Sequence, residues 1–260
     1  ITHEWSQTED TADHWIMDHL GSFFKPTTLE PRDVILFGFG RIGRLLAREL
    51  IVQEGSGHQL RLRAIAVRSI DVASLYKRAS LLKIDSVHGD FPGTIKVDEE
   101  NLALIINGRP VYFIPAPDPT KADYTAYGIS KALLIDNSGA FRDDTALSKH
   151  LEGKGVDKVL LTAPGKGVPN IVHGVNQNNI GKKDRIISAA SCTTNAISPV
   201  LKVVNDHFGI ERGHLETIHA YTNDQNLVDN MHSKYRRGRA AAMNMVITET
   251  GAGKAVDKCI

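Results

Sequence analysis

The sequence predicts an α/β fold built on a doubly wound parallel sheet, and three observations lead to this prediction. The short apolar run Val34–Phe37 has the continuous hydrophobicity of a strand that is buried on both faces. A glycine-rich turn follows directly, and leucines at helical spacing come after it. Further short apolar runs recur as far as residue 188. Strands that alternate with turns and helices in this way indicate a parallel sheet with helical connections.

Length and charge limit the function classes that the chain can belong to. With 260 residues, the chain is long enough for two domains that each bury a core. Its 31 basic and 30 acidic side chains give a net charge of +1, so neither nucleic acid nor an anionic membrane is expected as a partner. No segment approaches the roughly 18 apolar residues of a membrane span. The two cysteines suit a reducing compartment, so we expect a cytoplasmic location.

Residues 1–32 are interpreted as an N-terminal extension outside the main fold. Their polar and aromatic residues are mixed, and the part from Ala12 to Phe24 fits one short amphipathic helix. The predicted dinucleotide-binding domain then covers residues 33–190.

The glycine turn after the first strand matches the fingerprint of a Rossmann-like dinucleotide site. Gly38 would make the tight turn, Gly40 would let the backbone approach the pyrophosphate, and Gly43 would allow the helix to pack on the strand. The phosphates would lie at the helix N-terminus. We therefore expect a nicotinamide dinucleotide to bind here, and the predicted cofactor-binding residues are Gly38, Gly40, Arg41, Ile42, Gly43, Arg68, Ser69, Ser138 and Gly139.

The end of the second predicted strand, Leu60–Val67, bears on which dinucleotide is used. An acidic residue usually holds the ribose 2′-hydroxyl of NAD at this position, but here Arg68 and Ser69 follow the strand and Asp71 lies further along. A cation suits the 2′-phosphate of NADP. Both cofactors stay open, as does the alternative that Arg68 is a solvated strand end.

The remaining strands of the sheet are predicted from short apolar runs. Asn107-Gly108 separates two of them and is typical of a hairpin turn. Small residues, including Ser138 and Gly139, follow a later run and would face the cofactor. The expected strands are Leu102–Ile106, Val111–Ile114, Ala132–Ile135, Lys158–Thr162 and Arg185–Ser188.

Cys192 is the candidate nucleophile. It lies between the last of these strands and an apolar-periodic run, Ile197–Phe208, that predicts a helix. Backbone N–H groups and the helix dipole at such a junction favour the thiolate. A lone cysteine is more often a small buried hydrophobe. The hydroxyl residues Ser191 and Thr193 on either side favour an accessible sulfur instead.

Six motifs in order resemble those of phosphorylating glyceraldehyde-3-phosphate dehydrogenases. The resemblance covers roughly residues 33–260. The segment around Cys192 is the most specific of the six. The motifs are Gly38–Arg44, Asp85–Gly89, Ser191–Asn195, His219–Gln225, Arg236–Ala242 and Thr250–Val256.

The resemblance implies a dinucleotide-binding domain followed by an α+β catalytic domain, residues 191–260, in a homotetramer. Cys192 would form a thiohemiacetal with an aldehyde, and His219 would take its proton. A thioester then keeps the acyl group reactive enough to pass to phosphate. His219 is expected at the end of a strand from His214 to Ile218.

The resemblance also implies two anion sites, for a small phosphorylated aldehyde and for inorganic phosphate, and no metal. Thr222, Asp224 and Arg237 match substrate- or phosphate-holding positions, with Asp224 expected to orient its neighbours. Hydroxyls, a backbone N–H and an arginine suit an oxyanion. The positions that match the inorganic-phosphate pocket are Ser191, Thr193, Thr250 and Gly251.

Three departures from the family pattern, and one proline inside a predicted helix, carry expectations of their own. Arg68-Ser69 replaces the ribose acid, and extra residues at 54–58 predict a longer surface loop. Pro199 should kink the predicted helix unless the helix starts late, and the family tolerates a proline there too. The chain stops at Ile260, before the family's remaining strands, its second phosphate-binding arginine and its C-terminal helix, which predicts a fragment or a poorly active enzyme.

Two other functions compete with this one. An erythrose-4-phosphate dehydrogenase would share the cysteine and histidine without a strong inorganic-phosphate pocket. A non-catalytic nucleotide-binding or scaffolding protein would need neither residue.

Overall fold

The computed structural model describes residues 14, 31–53, 60–248, 256 and 259. Within them, the structure has ten strands and four α-helices. The helices are α1 (Arg41–Gln53), α2 (Val72–Lys83), α3 (Asp144–Ser148) and α4 (Cys192–Phe208). The strands are β1 (Arg32–Phe37), β2 (Leu60–Val67), β3 (Ile84–Asp85), β4 (Gly89–Asp90), β5 (Ile95–Asp98), β6 (Ala103–Ile106), β7 (Arg109–Pro115), β8 (Ala132–Asp136), β9 (Val156–Leu161) and β10 (Ile186–Ser188).

Eight of these strands form one sheet, in the order β10-β9-β8-β1-β2-β7-β6-β5. Neighbouring strands from β10 to β7 run parallel, and β6 and β5 add an antiparallel edge. The predicted hairpin is confirmed, because β6 and β7 pair antiparallel around Asn107 and Gly108. Both turn residues have positive φ, 49° and 82°, as a type I′ turn requires. The predicted α/β class is therefore correct.

Both faces of the sheet are buried. Alternate residues of its central strand β1 point to opposite sides, and each set packs in its own apolar cluster. Val34 and Leu36 pack on one side with Leu50 of α1 and Leu75 of α2. On the other side, β1 packs against a cluster that includes Tyr124, Ile129 and Leu147. The continuous apolar run that predicted β1 thus reflects burial on two faces.

The strand order places the functional loops at one edge. β1 is followed in the chain by β2 on one side, and β8 lies on its other side. Such a change of direction opens a crevice at the carboxyl ends of parallel strands. The loops after β1 and β8 meet there, where the Asn137 N–H donates to the Phe37 carbonyl at 3.0 Å.

The region after β10 differs from the prediction in two ways. The helix α4 begins at Cys192 rather than at Ile197 and continues through Pro199. The expected strand from His214 to Ile218 is wrong: these residues are irregular, and Ile218 is fully exposed. A strand needs a partner for its backbone groups, and no described strand pairs with this segment.

Some predictions lie outside the described residues. They are the helix expected between Ala12 and Phe24, of which only residue 14 is described, the longer loop at 54–58, and the positions of Thr250 and Gly251. The boundary between residues 190 and 191 stays a prediction. Among the helices described, none combines the length and apolar character needed to cross a membrane.

Candidate active site

The glycine turn between β1 and α1 has the shape of a dinucleotide cradle. Gly38 has φ +98°, and its N–H donates to the Ala66 carbonyl at 2.9 Å. A Cβ on Gly43 would lie 2.5 Å from the Asn137 side chain and 2.6 Å from the Gly38 carbonyl. Gly40 is different, since a Cβ there would meet nothing within 4 Å. The protein itself therefore leaves no room for a side chain at the first and third glycines, whereas the second faces open space.

Arg41 and Ile42 begin the helix beside this open space, as the sequence predicts. The Ile42 side chain is 52% exposed. Arg41 is about half exposed and lies 3.6 Å from Asp85. An open glycine, the N-terminus of α1 and a nearby cation together fit a bound pyrophosphate.

Ser138 and Gly139 border the crevice from the β8 side. Gly139 has φ +74° and is open to solvent. Asp136 holds Ser138 in place, because its Oδ1 accepts from the Ser138 N–H at 2.8 Å and the hydroxyl at 2.7 Å. Its other oxygen lies 2.9 Å from His150 Nε2, and both side chains are fully buried.

The buried Asp136–His150 pair was not predicted from sequence. The two residues are 14 positions apart, and neither belongs to a recognisable motif. The only signal was an acid at the very end of an apolar run.

Arg68 and Ser69 are exposed at the carboxyl end of β2, where the chain leaves the core. Asp71 is engaged elsewhere. It is the N-cap of α2 and accepts a hydrogen bond from the Ser74 N–H at 2.8 Å. A basic group, and no free carboxylate, therefore follows this strand directly.

Cys192 is the first residue of α4 and is exposed. Ser191 caps the helix by accepting from the Thr194 N–H at 3.0 Å. The sulfur thus lies at the positive end of a 17-residue helix, which stabilises a thiolate. The alternative of a buried structural cysteine is wrong for Cys192.

His219 lies beside the sulfur, with Nε2 3.4 Å from Cys192 Sγ. Its Nδ1 is 2.6 Å from the Ala220 carbonyl. A carbonyl only accepts, so Nδ1 carries the proton and Nε2 faces the thiol. The contact with His219 lowers the pKa of Cys192. The Ala220 carbonyl, and then Cys192 itself, raise the pKa of His219. Both shifts favour a thiolate–imidazolium pair.

The turn that presents Cys192 is strained and held in place by side chains. Ala190 has φ +58°, a conformation that costs a non-glycine residue about 1–3 kcal/mol. The Ala190 N–H donates to the Ser188 hydroxyl at 3.0 Å. Asn195 donates to the carbonyls of Ala189, at 2.7 Å, and Ser191, at 2.8 Å. Sequence reasoning missed these roles, because an alanine gives no signal of positive φ.

Thr222, Asp224 and Arg237 come together in the loop after His219. The Asp224 carboxylate pairs with the Arg237 guanidinium, and the Asp224 N–H donates to the Thr222 hydroxyl at 3.3 Å. Arg237 also donates to the Thr248 hydroxyl at 3.2 Å. Asp224 thus contacts both of its predicted neighbours.

The two other arginines of this run are used differently. Arg236 donates to the Ile247 carbonyl at 3.0 Å, and Arg239 pairs with Asp229 at 2.7 Å. Arg237 alone of the three is joined to Asp224 and a threonine hydroxyl among the described residues.

Of the predicted inorganic-phosphate positions, only Ser191 and Thr193 are described. The Thr193 hydroxyl lies 3.9 Å from the Cys192 sulfur. The Ser191 hydroxyl is occupied by the helix cap and by Thr194 Oγ1 at 2.7 Å.

The fold and the site define a class: a dinucleotide-binding sheet joined to a histidine-paired, exposed cysteine at a helix N-terminus. Two family models match the chain. One is described as glyceraldehyde 3-phosphate dehydrogenase, NAD binding domain, over residues 32–144, and the other as the C-terminal domain over residues 191–260. The chain belongs to the glyceraldehyde-3-phosphate dehydrogenase family, and residues 32–144 belong to its NAD-binding domain.

Individual relatives agree with this assignment. A glyceraldehyde-3-phosphate dehydrogenase-like protein of Pseudomonas aeruginosa is 60% identical over 89% of this chain and 50% of its own length. The dehydrogenase of Thermotoga maritima is 42% identical over 86% of the chain and 64% of its own length. The chloroplastic A form of Scenedesmus vacuolatus is 42% identical over 84% and 67%, respectively. The chain thus spans between half and two thirds of these relatives.

Proposed function

We propose that the protein carrying this chain is a phosphorylating dehydrogenase that oxidises glyceraldehyde 3-phosphate to 1,3-bisphosphoglycerate. The observation that carries the proposal is the Cys192–His219 contact at 3.4 Å, in a chain that also has a dinucleotide cradle. Family membership supports the same chemistry. The relatives that carry the name are proteins of greater length than this chain.

The first step is capture of the aldehyde by Cys192. The thiolate at the N-terminus of α4 attacks the aldehyde carbon, and His219, holding the thiol proton, passes it to the oxygen to give a thiohemiacetal. His219 is suited to this step because its Nε2 faces the sulfur.

The second step is oxidation of the carbon that is bound to the Cys192 sulfur. A nicotinamide bound in the crevice would supply the hydride acceptor for the thiohemiacetal carbon. His219 would take the hydroxyl proton, which would leave a thioester on Cys192. The residues that would hold this cofactor are the glycine turn on one side of the crevice and Ser138 and Gly139 on the other.

The last step passes the acyl group to phosphate. An oxygen of inorganic phosphate attacks the thioester carbon, the Cys192–carbon bond breaks, and the thiolate returns to the positive end of α4. Arg237, fixed by Asp224, and the hydroxyls of Thr222 and Thr193 are the groups proposed to bind anions in this step.

Phosphate dependence tests the proposal against its nearest rival. For the full-length protein, we expect the rate of aldehyde oxidation to rise with phosphate concentration and saturate, and the acyl phosphate to accumulate. An erythrose-4-phosphate dehydrogenase would favour the longer aldehyde and show a rate that does not depend on phosphate. A protein without aldehyde oxidation under any of these conditions would support the scaffolding alternative.

We also propose the homotetramer and the cytoplasmic location that the resemblance and the cysteine content suggest. Sedimentation of the full-length protein, and fractionation of cells that produce it, would test the two separately.

A further inference from the structure

We propose that the end of β2 is a binding subsite for a 2′-phosphate, so that this chain selects NADP over NAD. The subsite consists of Arg68 and Ser69, the two residues that follow β2. The inference rests on the dinucleotide binding described above, but not on the aldehyde reaction.

Arg68 and Ser69 lie at the same side of the sheet as the glycine turn. β2 is the hydrogen-bonded neighbour of β1, and the Gly38 N–H donates to the Ala66 carbonyl at 2.9 Å. The end of β2 therefore lies beside the turn that receives the pyrophosphate. In a doubly wound sheet, the adenosine ribose reaches this strand end. Val67 is still buried, whereas Arg68 and Ser69 are exposed.

Among the residues that the structure describes, no free carboxylate is placed at the end of β2 to accept from the ribose 2′-hydroxyl of NAD. Asp71 caps α2, and the Ser74 hydroxyl in turn accepts from the Asp71 N–H at 3.1 Å. Beyond the adjacent strand β7, Asp118 caps a short 3-10 helix and accepts from Thr120 N at 3.1 Å and Oγ1 at 2.8 Å. Both carboxylates are held in their own turns, so neither is placed to accept from a ribose 2′-hydroxyl.

The Arg68 guanidinium is available to bind the 2′-phosphate of NADP. Within the part of the chain that the structure describes, Arg68 forms no ion pair or hydrogen bond through its side chain. Arginines within the same strand behave differently: Arg61 pairs with Asp33 at 2.7 Å, and Arg63 donates to the Tyr127 carbonyl at 3.2 Å. A planar guanidinium can bind two oxygens of one phosphate. The Ser69 hydroxyl can add a third donor.

A 2′-phosphate gains far more from this arrangement than a 2′-hydroxyl does. Hydrogen bonds between charged partners are roughly twice as strong as neutral ones. On that basis, we expect NADPH to bind about 10- to 100-fold more tightly than NADH.

The test measures binding without turnover. Full-length protein carrying Cys192→Ser is titrated with NADPH and with NADH, followed by nicotinamide fluorescence, and with adenosine 2′-phosphate and 5′-phosphate, followed by calorimetry. Arg68→Ala should remove most of the preference for the 2′-phosphate and leave the NADH affinity within about twofold, because the lost contacts belong to the phosphate. Arg68→Lys should retain part of the preference.

The control is Lys77→Ala, which removes an exposed cation of α2 and should leave the preference unchanged. Equal or tighter binding of NADH by the parent protein would overturn the proposal. An equal loss of both affinities in Arg68→Ala would do the same, and so would failure to bind either dinucleotide. A preference for NADPH in a protein that does not oxidise phosphorylated aldehydes would leave this subsite standing and overturn the proposed function instead.

Discussion

At the residue scale, the proposed chemistry depends on two side chains, Cys192 and His219. Their contact combines with the N-terminus of α4 to favour a thiolate, while the Ala220 carbonyl fixes the imidazole tautomer. The cysteine is thereby prepared to react before any substrate arrives.

Removing His219 should return the pKa of the Cys192 thiol towards its usual value. Its hydrogen bond is the largest cause of the lowered pKa of Cys192, so His219→Asn should raise that pKa. Because less thiolate is then present at neutral pH, alkylation by iodoacetamide at pH 7 should slow by about tenfold for each unit of the rise. The rate measured against pH should show its inflection at higher pH than in the parent protein.

His207→Asn is the matched control, since His207 lies in the last turn of the same helix. It should leave the alkylation profile unchanged. An unchanged profile in His219→Asn would show that the imidazole does not activate the sulfur.

Sequence reasoning identified these two residues, but not the geometry that supports them. The motif around Cys192 marked the nucleophile, whereas positive φ at Ala190 and the role of Ser188 depend on how β10 turns into α4. Such contacts arise from tertiary structure and leave no pattern in the chain.

At the scale of elements, the β1–turn–α1 unit separates two uses of glycine. Gly43 is needed by the fold, because a Cβ there would press on the Gly38 carbonyl at 2.6 Å. A Cβ at Gly40 would meet free space, so we expect its lack of a side chain to matter for the ligand and not for the fold.

Alanine substitutions should distinguish these two uses. Gly40→Ala should keep the urea midpoint and weaken dinucleotide binding by about tenfold, since an inserted methyl group commonly costs about 1–3 kcal/mol. Gly43→Ala should lower the free energy of unfolding by a similar amount as well. Equilibrium unfolding and fluorescence titration measure the two effects. A large loss of stability in Gly40→Ala would contradict the assignment.

The strands that could be predicted from sequence are those whose residue pattern follows from burial. The apolar runs of β1 and β8 and the Asn107-Gly108 turn were recognisable because both faces of the sheet are covered and the turn demands positive φ. The segment His214–Ile218 mixes polar and apolar residues and contains two β-branched ones, as strands often do, but no described strand pairs with it. Strand propensity cannot show whether a partner exists.

At the scale of the whole molecule, we propose that the crevice formed by β1 and β8 binds the dinucleotide and that the segment after β10 carries out the aldehyde reaction. The buried Asp136–His150 pair belongs to the first part, because Asp136 links the sheet to Ser138 at the crevice.

Breaking this pair should destabilise the sheet. Asp136→Ala leaves His150 and the Ser138 N–H without their acceptor, and loss of one partner of a buried pair costs about 3–5 kcal/mol. Urea unfolding should show the loss, and Asp136→Asn, which keeps an acceptor oxygen, should recover part of it. An Asp136→Ala protein as stable as its parent would rule out this structural role.

Because the two proposed functions use different parts of the chain, dinucleotide binding should survive the loss of aldehyde oxidation. Cys192→Ser should retain dinucleotide affinity within about twofold, while aldehyde oxidation falls by about a thousandfold or more, as expected when a nucleophile is removed. Retention of most of the oxidation would contradict covalent catalysis.

The most direct test of the proposed function is the mass of the protein during turnover. Full-length protein is mixed with glyceraldehyde 3-phosphate and oxidised cofactor, without phosphate, and is quenched with acid. We expect an acyl adduct on the peptide that contains Cys192, and its disappearance, with release of the acyl phosphate, when phosphate is added. Reduced cofactor formed without any adduct on Cys192, or an adduct that persists in phosphate, would contradict the account.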